Sequence, residues 1–216
     1  MSSHSVKNII FDFGGVIIDI DYWKSINAFI KLGSRDFDRV YSQAGQTAIF
    51  DHIDKGLISP DEFRSELRKL FPPHTTLQLI DDAWNAILIG IPEHRIRLIE
   101  NIKSNYRTFL MSNTNIIHYN VYMQELKQKF GYGSLSELFE KVYLSFELGM
   151  RKPDPDFFKL IIKENDLCPS ETVFIDDSEQ NLPPAQKMGI QTIFLNKAKD
   201  ITDLFENGLL LPQIEI

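Results

Sequence analysis

Five short apolar runs, most of them ending in a polar or acidic residue, constrain this 216-residue chain more than any other feature. They are 8–12 (NIIFD), 106–112 (YRTFLMS), 141–146 (KVYLSF), 172–176 (TVFID) and 191–195 (QTIFL). A half-exposed strand alternates apolar and polar residues, whereas nearly continuous hydrophobicity marks a strand covered on both faces by helices. Helical patterns fill the intervals at 94–105, 116–130, 155–165 and 183–188, the last stopped by Gly189. Strand alternating with helix predicts an α/β protein with a doubly wound parallel sheet and right-handed crossovers.

The stretch from 19 to 92 breaks that rhythm. It carries amphipathic helical patterns at 22–32, 46–55, 60–71 and 75–88, and no strand is expected in it. Ser59 and Pro60 read as the cap and first residue of one helix, and Pro72-Pro73 close it. The predicted organisation is a Rossmann-like core of residues 1–18 and 93–216, interrupted by an α-helical cap of residues 19–92. A bundle inserted between the first and second strands sits over the sheet edge, where a lid belongs.

Composition limits the partners. With 43% hydrophobic and 25% charged residues the chain can bury a core. No apolar run approaches the roughly 18–20 residues that span a bilayer, and the first residues lack a signal-peptide pattern, so a soluble cytoplasmic protein without a membrane partner is expected. The single Cys168 forms no internal disulfide, and no Cys/His cluster has zinc spacing. A net charge of −7 argues against nucleic acid, although a local lysine or helix N-terminus can still hold a small anion. Monomer and homodimer both remain open, with the tail 208–212 as either a packed end or a contact surface.

In open α/β sheets ligands bind beyond the carboxyl ends of the strands. Those ends here offer Asp12, Ser112, Lys152 and the pair Asp176-Asp177. The stretches FDFGGVIIDID, FLMSNTN, FELGMRKPDPDFF and FIDDSEQN that carry them resemble, in their order, the haloacid dehalogenase-like hydrolase superfamily. In detail they are most similar to its helical-cap branch, which includes bacterial α-glucose-1-phosphate phosphatase and related sugar phosphatases.

The resemblance implies a Mg2+-dependent phosphatase that hydrolyses a small phosphorylated metabolite, such as a sugar phosphate, through an aspartyl-phosphate on Asp12. It implies a cation held by Asp12, the Gly14 carbonyl and Asp177, with Asp176 nearby through water. That cation offsets the repulsion between an anionic nucleophile and an anionic ester. Ser112 and the backbone N–H groups of Asn113 and Thr114 are expected to cradle the phosphoryl oxygens, and Lys152 to add a second positive charge.

One position departs from the pattern. Most phosphatases of the superfamily carry a second aspartate two residues after the nucleophile, as general acid and base, and here that residue is Gly14. Three explanations stand side by side. The leaving group needs little protonation, which favours sugar 1-phosphates; or Asp19, Asp21 or a cap residue substitutes; or the chain does not hydrolyse phosphate esters. The last covers a metal-independent 2-haloacid dehalogenase and a catalytically weakened protein that only binds a phosphate ligand. The intact acidic pair points toward magnesium and phosphate.

The other polar residues receive plainer readings. Arg151 reads as a surface residue, Asn181 as the cap of the helix after it, and the five histidines as surface or locally bonded groups, with His52 and nearby Phe50 placed to face a substrate. Trp23 and Trp84 read as cap core.

Overall fold

The computed structural model describes residues 6–34, 37 and 48–211. Strands β1 (Asn8–Phe11), β4 (Arg107–Ser112), β5 (Lys141–Leu144), β6 (Thr172–Asp176) and β7 (Gln191–Phe194) form one parallel sheet in the order β5-β4-β1-β6-β7. All four residues of β1 are buried, because it lies at the centre with Ile10 in register with Phe109 on one side and Phe174 on the other.

Successive strand residues feed opposite layers. Ile9, Phe11, Leu110 and Ile175 share one apolar cluster with helices α5 (Glu93–Ile102) and α6 (Ile116–Phe130). Ile10, Phe109, Met111 and Phe174 share another with α8 (Pro155–Glu164) and α9 (Leu182–Lys187). Burial on both faces explains why the runs look continuous. The chain leaves β1 toward β4 and β5 on one side and reaches β6 and β7 on the other, so the crevice where strand order reverses opens at the carboxyl ends of β1, β4 and β6.

The third run ends earlier than expected. β5 stops at Leu144, and Ser145–Leu148 form one helical turn, α7, closed by Gly149 at φ 70°. The Ser145 hydroxyl exchanges hydrogen bonds with the main chain of Thr114, accepting from its N–H at 2.9 Å and donating to its carbonyl at 2.8 Å. Those bonds turn the backbone out of the ladder, so Lys152 stands on the loop beyond α7.

Between β1 and β4 lie α1 (Tyr22–Lys31), α2 (Ala48–Asp54), α3 (Pro60–Arg68) and α4 (Leu77–Asn85). Positions 46 and 47 of the expected second helix lie outside the described residues. Ser59 and Glu62 form a reciprocal capping box around Pro60, as the spacing predicts. Phe29, Phe50, Phe63, Phe71 and Trp84 build a cluster of their own, to which α6 contributes Ile117. Phe50 is therefore cap core, stacked on Trp84. Trp23 is not: it is 64% exposed.

The expectation of no strand in this region is corrected by a short antiparallel ribbon of β2 (Asp19–Ile20) and β3 (Leu88–Gly90). Two- and three-residue strands carry no readable period. The ribbon is where the chain enters and leaves the helices, tied further by Asp21 N–H to the Ile87 carbonyl at 2.9 Å.

Strands β8 (Phe205–Glu206) and β9 (Leu209–Leu210) pair as a terminal hairpin, and the Leu210 N–H donates to the Tyr106 hydroxyl. The tail is thus packed up to 211, while Pro212 lies outside the described residues. No helix among the described residues is long and apolar enough to cross a membrane.

Candidate active site

Asp12 is the first residue past β1 and is buried, with its N–H donating to the Ile175 carbonyl. The turn after it is closed by Gly15, Ile17 and Ile18 N–H groups donating to the carbonyls of Ile18, Phe13 and Phe13. None of these bonds uses the Gly14 carbonyl. Gly15 has φ 74°, and a Cβ there would fall 2.3 Å from Asp177 Oδ2, so only glycine allows both the turn and the approach of that carboxylate. At Gly14 a Cβ would stand 3.2 Å from Ile20 Cδ1, a tight contact to which the end of the isoleucine would have to yield.

Lys152 is the electrostatic hub. Its Nζ lies 2.6 Å from Asp12 Oδ1 and 2.7 Å from Asp176 Oδ2, with the side chain 1% exposed. Asn113 holds it from the main chain: the amide accepts from Lys152 N–H at 2.8 Å and donates to the Lys152 carbonyl at 2.9 Å. The peptide bond to Pro153 is cis. Asp176 also accepts from Ser178 N–H and, on both oxygens, from Asn181 Nδ2 at 3.0 Å. Asn181 therefore braces Asp176, and its side chain does not cap the following helix as expected.

Ser112, at the end of β4, and Thr114 are both buried beside the same cavity, which has a volume of about 100 Å³. Of the donors expected to cradle an anion, the Thr114 N–H is already given to Ser145.

One ammonium stands against three carboxylates whose oxygens lie within 4.8 Å of one another, those of Asp12, Asp176 and Asp177. Burial pushes the Asp12 carboxyl up to about 8, opposed by Lys152 and reinforced by Asp176 and Asp177. Burial, then Asp176, raises Asp177 to about 6. Against the effect of burial, Asp12 and Asp176 hold the Lys152 ammonium above its usual range. An all-oxygen donor set with surplus negative charge fits a hard divalent cation.

The facing wall was largely unread. Asp54 on α2 is buried, accepts from Asn115 Nδ2 at 3.1 Å and lies 3.8 Å from Arg151 Nη1. Arg151 is no surface residue: its side chain is 18% exposed and pairs with Asp51 at 3.4 Å. His118 is buried, stacked on Trp84, and bonded to Asn115 and to the Trp84 carbonyl. His52, in contrast, is exposed and does not line the cavity. Asp19 is engaged by Arg95 at 2.8 Å and Asp21 caps α1, so neither of these two acids is presented to Asp12. Sequence showed Asn115 as a polar residue before a helix, but nothing local marked Asp54 or Arg151 as neighbours 97 positions apart.

A family model described as haloacid dehalogenase-like hydrolase matches residues 6–189. The chain is similar to the D-ribitol-5-phosphate phosphatase of Bacteroides thetaiotaomicron, 36% identical over 87% of this chain and 90% of that one. A HAD-family enzyme of the same organism, solved with magnesium and inorganic phosphate, superimposes with a TM-score of 0.87 at 35% identity, covering 94% of this chain and all of that one. A HAD-like hydrolase of Porphyromonas gingivalis matches at 31% identity and a TM-score of 0.80, over 90% and 93% of the two chains. These relatives bear on the superfamily and not on the glucose-1-phosphate branch in particular.

Proposed function

The chain belongs to the haloacid dehalogenase-like hydrolases, as one of their phosphatases, and from that premise we propose that it removes phosphate from a small sugar or polyol ester, with Asp12 as nucleophile. The observation that carries this reading is the convergence of Asp12, Lys152, Asp176 and Asp177 on one point at the carboxyl ends of β1 and β6, beside Ser112.

Residues 19–92 act as the cap over this core. The Asp12 and Asp177 carboxylates with the Gly14 carbonyl would hold Mg2+, and Asp176 would add its charge nearby while anchoring Lys152. Bound magnesium supplies positive charge that lets a carboxylate approach an anionic phosphorus centre. Lys152 orients the Asp12 carboxylate and neutralises charge on the phosphoryl group, and the Ser112 hydroxyl and Asn113 N–H donate to its oxygens. Asp12 displaces the alcohol to give an aspartyl-phosphate, which water then hydrolyses.

The relative's substrate is a primary alkyl phosphate, and the same class is the reading for this chain. The test is phosphate release from D-ribitol 5-phosphate, hexose 6-phosphates and hexose 1-phosphates, with magnesium and with chelator. Metal-dependent release abolished by Asp12→Asn is expected. Metal-free halide release from 2-haloacids, or tight phosphate binding without turnover, would replace the proposal.

A further inference from the structure

We propose that Asp54, reaching into the site from α2, is the catalytic general acid and base that position 14 does not provide; this rests on the phosphatase reading above. The requirement comes from the leaving group. A primary alcohol leaves as a strongly basic alkoxide unless a proton reaches its oxygen, and such a transfer contributes typically 10²–10⁴ in rate. Position 14 carries no acid, and even a Cβ there would meet Ile20 Cδ1 at 3.2 Å.

In-line displacement fixes where the proton donor must be. The bond from Asp12 to phosphorus forms on the floor, so the leaving oxygen, and later the attacking water, lie on the opposite side, toward the helical unit. Of the cavity-lining carboxylates, Asp12 and Asp177 belong to the floor, and Asp54 is the one on the facing wall among the described residues. Its placement is fixed: a Cβ on Gly56 would fall 2.1 Å from the Phe146 carbonyl oxygen, so the end of α2 is seated directly on the core.

The neighbours leave the role to Asp54. His118 has both ring nitrogens engaged, by Asn115 and by the Trp84 carbonyl. The Tyr22 phenol is held above its usual range by burial and then by Asp177, Asp54 and Asp12, which makes it no base at neutral pH. Tyr22 lines the same cavity as Asp12, Asp54 and Asp177. A purely structural reading makes Asp54 a latch to Arg151. Arg151 does lie within ion-pair range of Asp54, at 3.8 Å, and donates a hydrogen bond to Asp51, so the two readings are separated by the kinetic test and not by this contact.

The proton balance closes over two steps. An Asp12 oxygen bonds to phosphorus as the ester P–O bond breaks, and the electron pair leaves on the alcohol oxygen, which takes the proton of the Asp54 carboxylic acid. The Asp54 carboxylate then takes a proton from water as the water oxygen bonds to phosphorus and the bond from phosphorus to Asp12 breaks. Inorganic phosphate departs, and Asp54 is protonated again.

The test is rapid mixing of Asp54→Asn with magnesium and either p-nitrophenyl phosphate, whose leaving group needs no proton, or D-ribitol 5-phosphate. With the nitrophenyl ester we expect a burst of one nitrophenolate per site followed by turnover lowered at least 10²-fold, because only the second step needs the base. With ribitol 5-phosphate no burst is expected and turnover falls at least 10²-fold. Asp54→Glu should recover part of both rates. Asp51→Asn, which weakens the ties of Asp51 to Arg151 and Lys55 and leaves Asp54 in place, should give no burst. Unchanged ribitol 5-phosphate turnover, or equal losses on both esters without a burst, overturns the assignment to Asp54 and leaves the phosphatase standing. A wild-type protein that releases phosphate from neither ester overturns both.

Discussion

His118 gives the sharpest quantitative consequence of this structure. Its ring is buried, and burial lowers its pKa to about 4 from an ordinary value near 6.5, with the hydrogen bond to the Trp84 carbonyl only partly opposing. A folded-state value below the unfolded one means that the unfolded chain binds the proton more tightly. Stability is therefore intact above pH 6.5 and is lost as pH falls from 6.5 toward 4. Linkage gives a loss of about 2 kcal/mol between pH 7.5 and pH 5 from this ring, rising to about 3 kcal/mol once both states are protonated. The assay is urea denaturation at pH 7.5 and 5.0, in chelator, for the wild type and His118→Gln, which stays neutral and can still donate to Trp84. Carboxylates that titrate in both proteins cancel in the difference. The wild type should lose about 2 kcal/mol more than the variant; equal losses would refute the claim that a neutral imidazole is enclosed at the junction of α4 and α6.

Three further outcomes follow from the site. Lys152→Met should abolish turnover and, in chelator, destabilise the fold by about 3–5 kcal/mol, because Asp12 and Asp176 lose their buried partner; magnesium should restore part of that stability, read as a rise in Tm. Gly15→Ala should weaken magnesium binding at least tenfold by calorimetric titration, since its Cβ displaces Asp177. Gly14→Asp should not raise activity on ribitol 5-phosphate, because Ile20 occupies the space, whereas Gly14→Asp with Ile20→Ala opens it; a gain from the single change would count against the closed position.

How much of this was legible in advance depended on whether a feature is local. The five parallel strands, the capping box at Ser59–Glu62 and the polar strand ends at Asp12, Ser112 and Asp176 are written in contiguous residues, so periodicity and turn chemistry exposed them. The β2/β3 ribbon was invisible because two or three residues carry no period. Arg151 and Asn181 were read as surface and cap for want of their partners: Asp51 lies 100 positions from Arg151, and Asp176 needs the fold of β6 to meet the Asn181 amide. Asp54 was hidden in the same way, as an ordinary acid near the end of a helix. The glycine at 14 stands in the sequence itself, whereas the Ile20 methyl beside it belongs to tertiary packing.

The apolar cluster of the helical unit includes Ile117, a residue rooted in α6 of the sheet layer. Pulling the helical unit away from α6 would strand that side chain in water. The same unit meets the core again where Asn115 donates to Asp54, where Arg151 donates to Asp51 and where Gly56 lies against Phe146, so the wall that carries Asp54 is held from several sides.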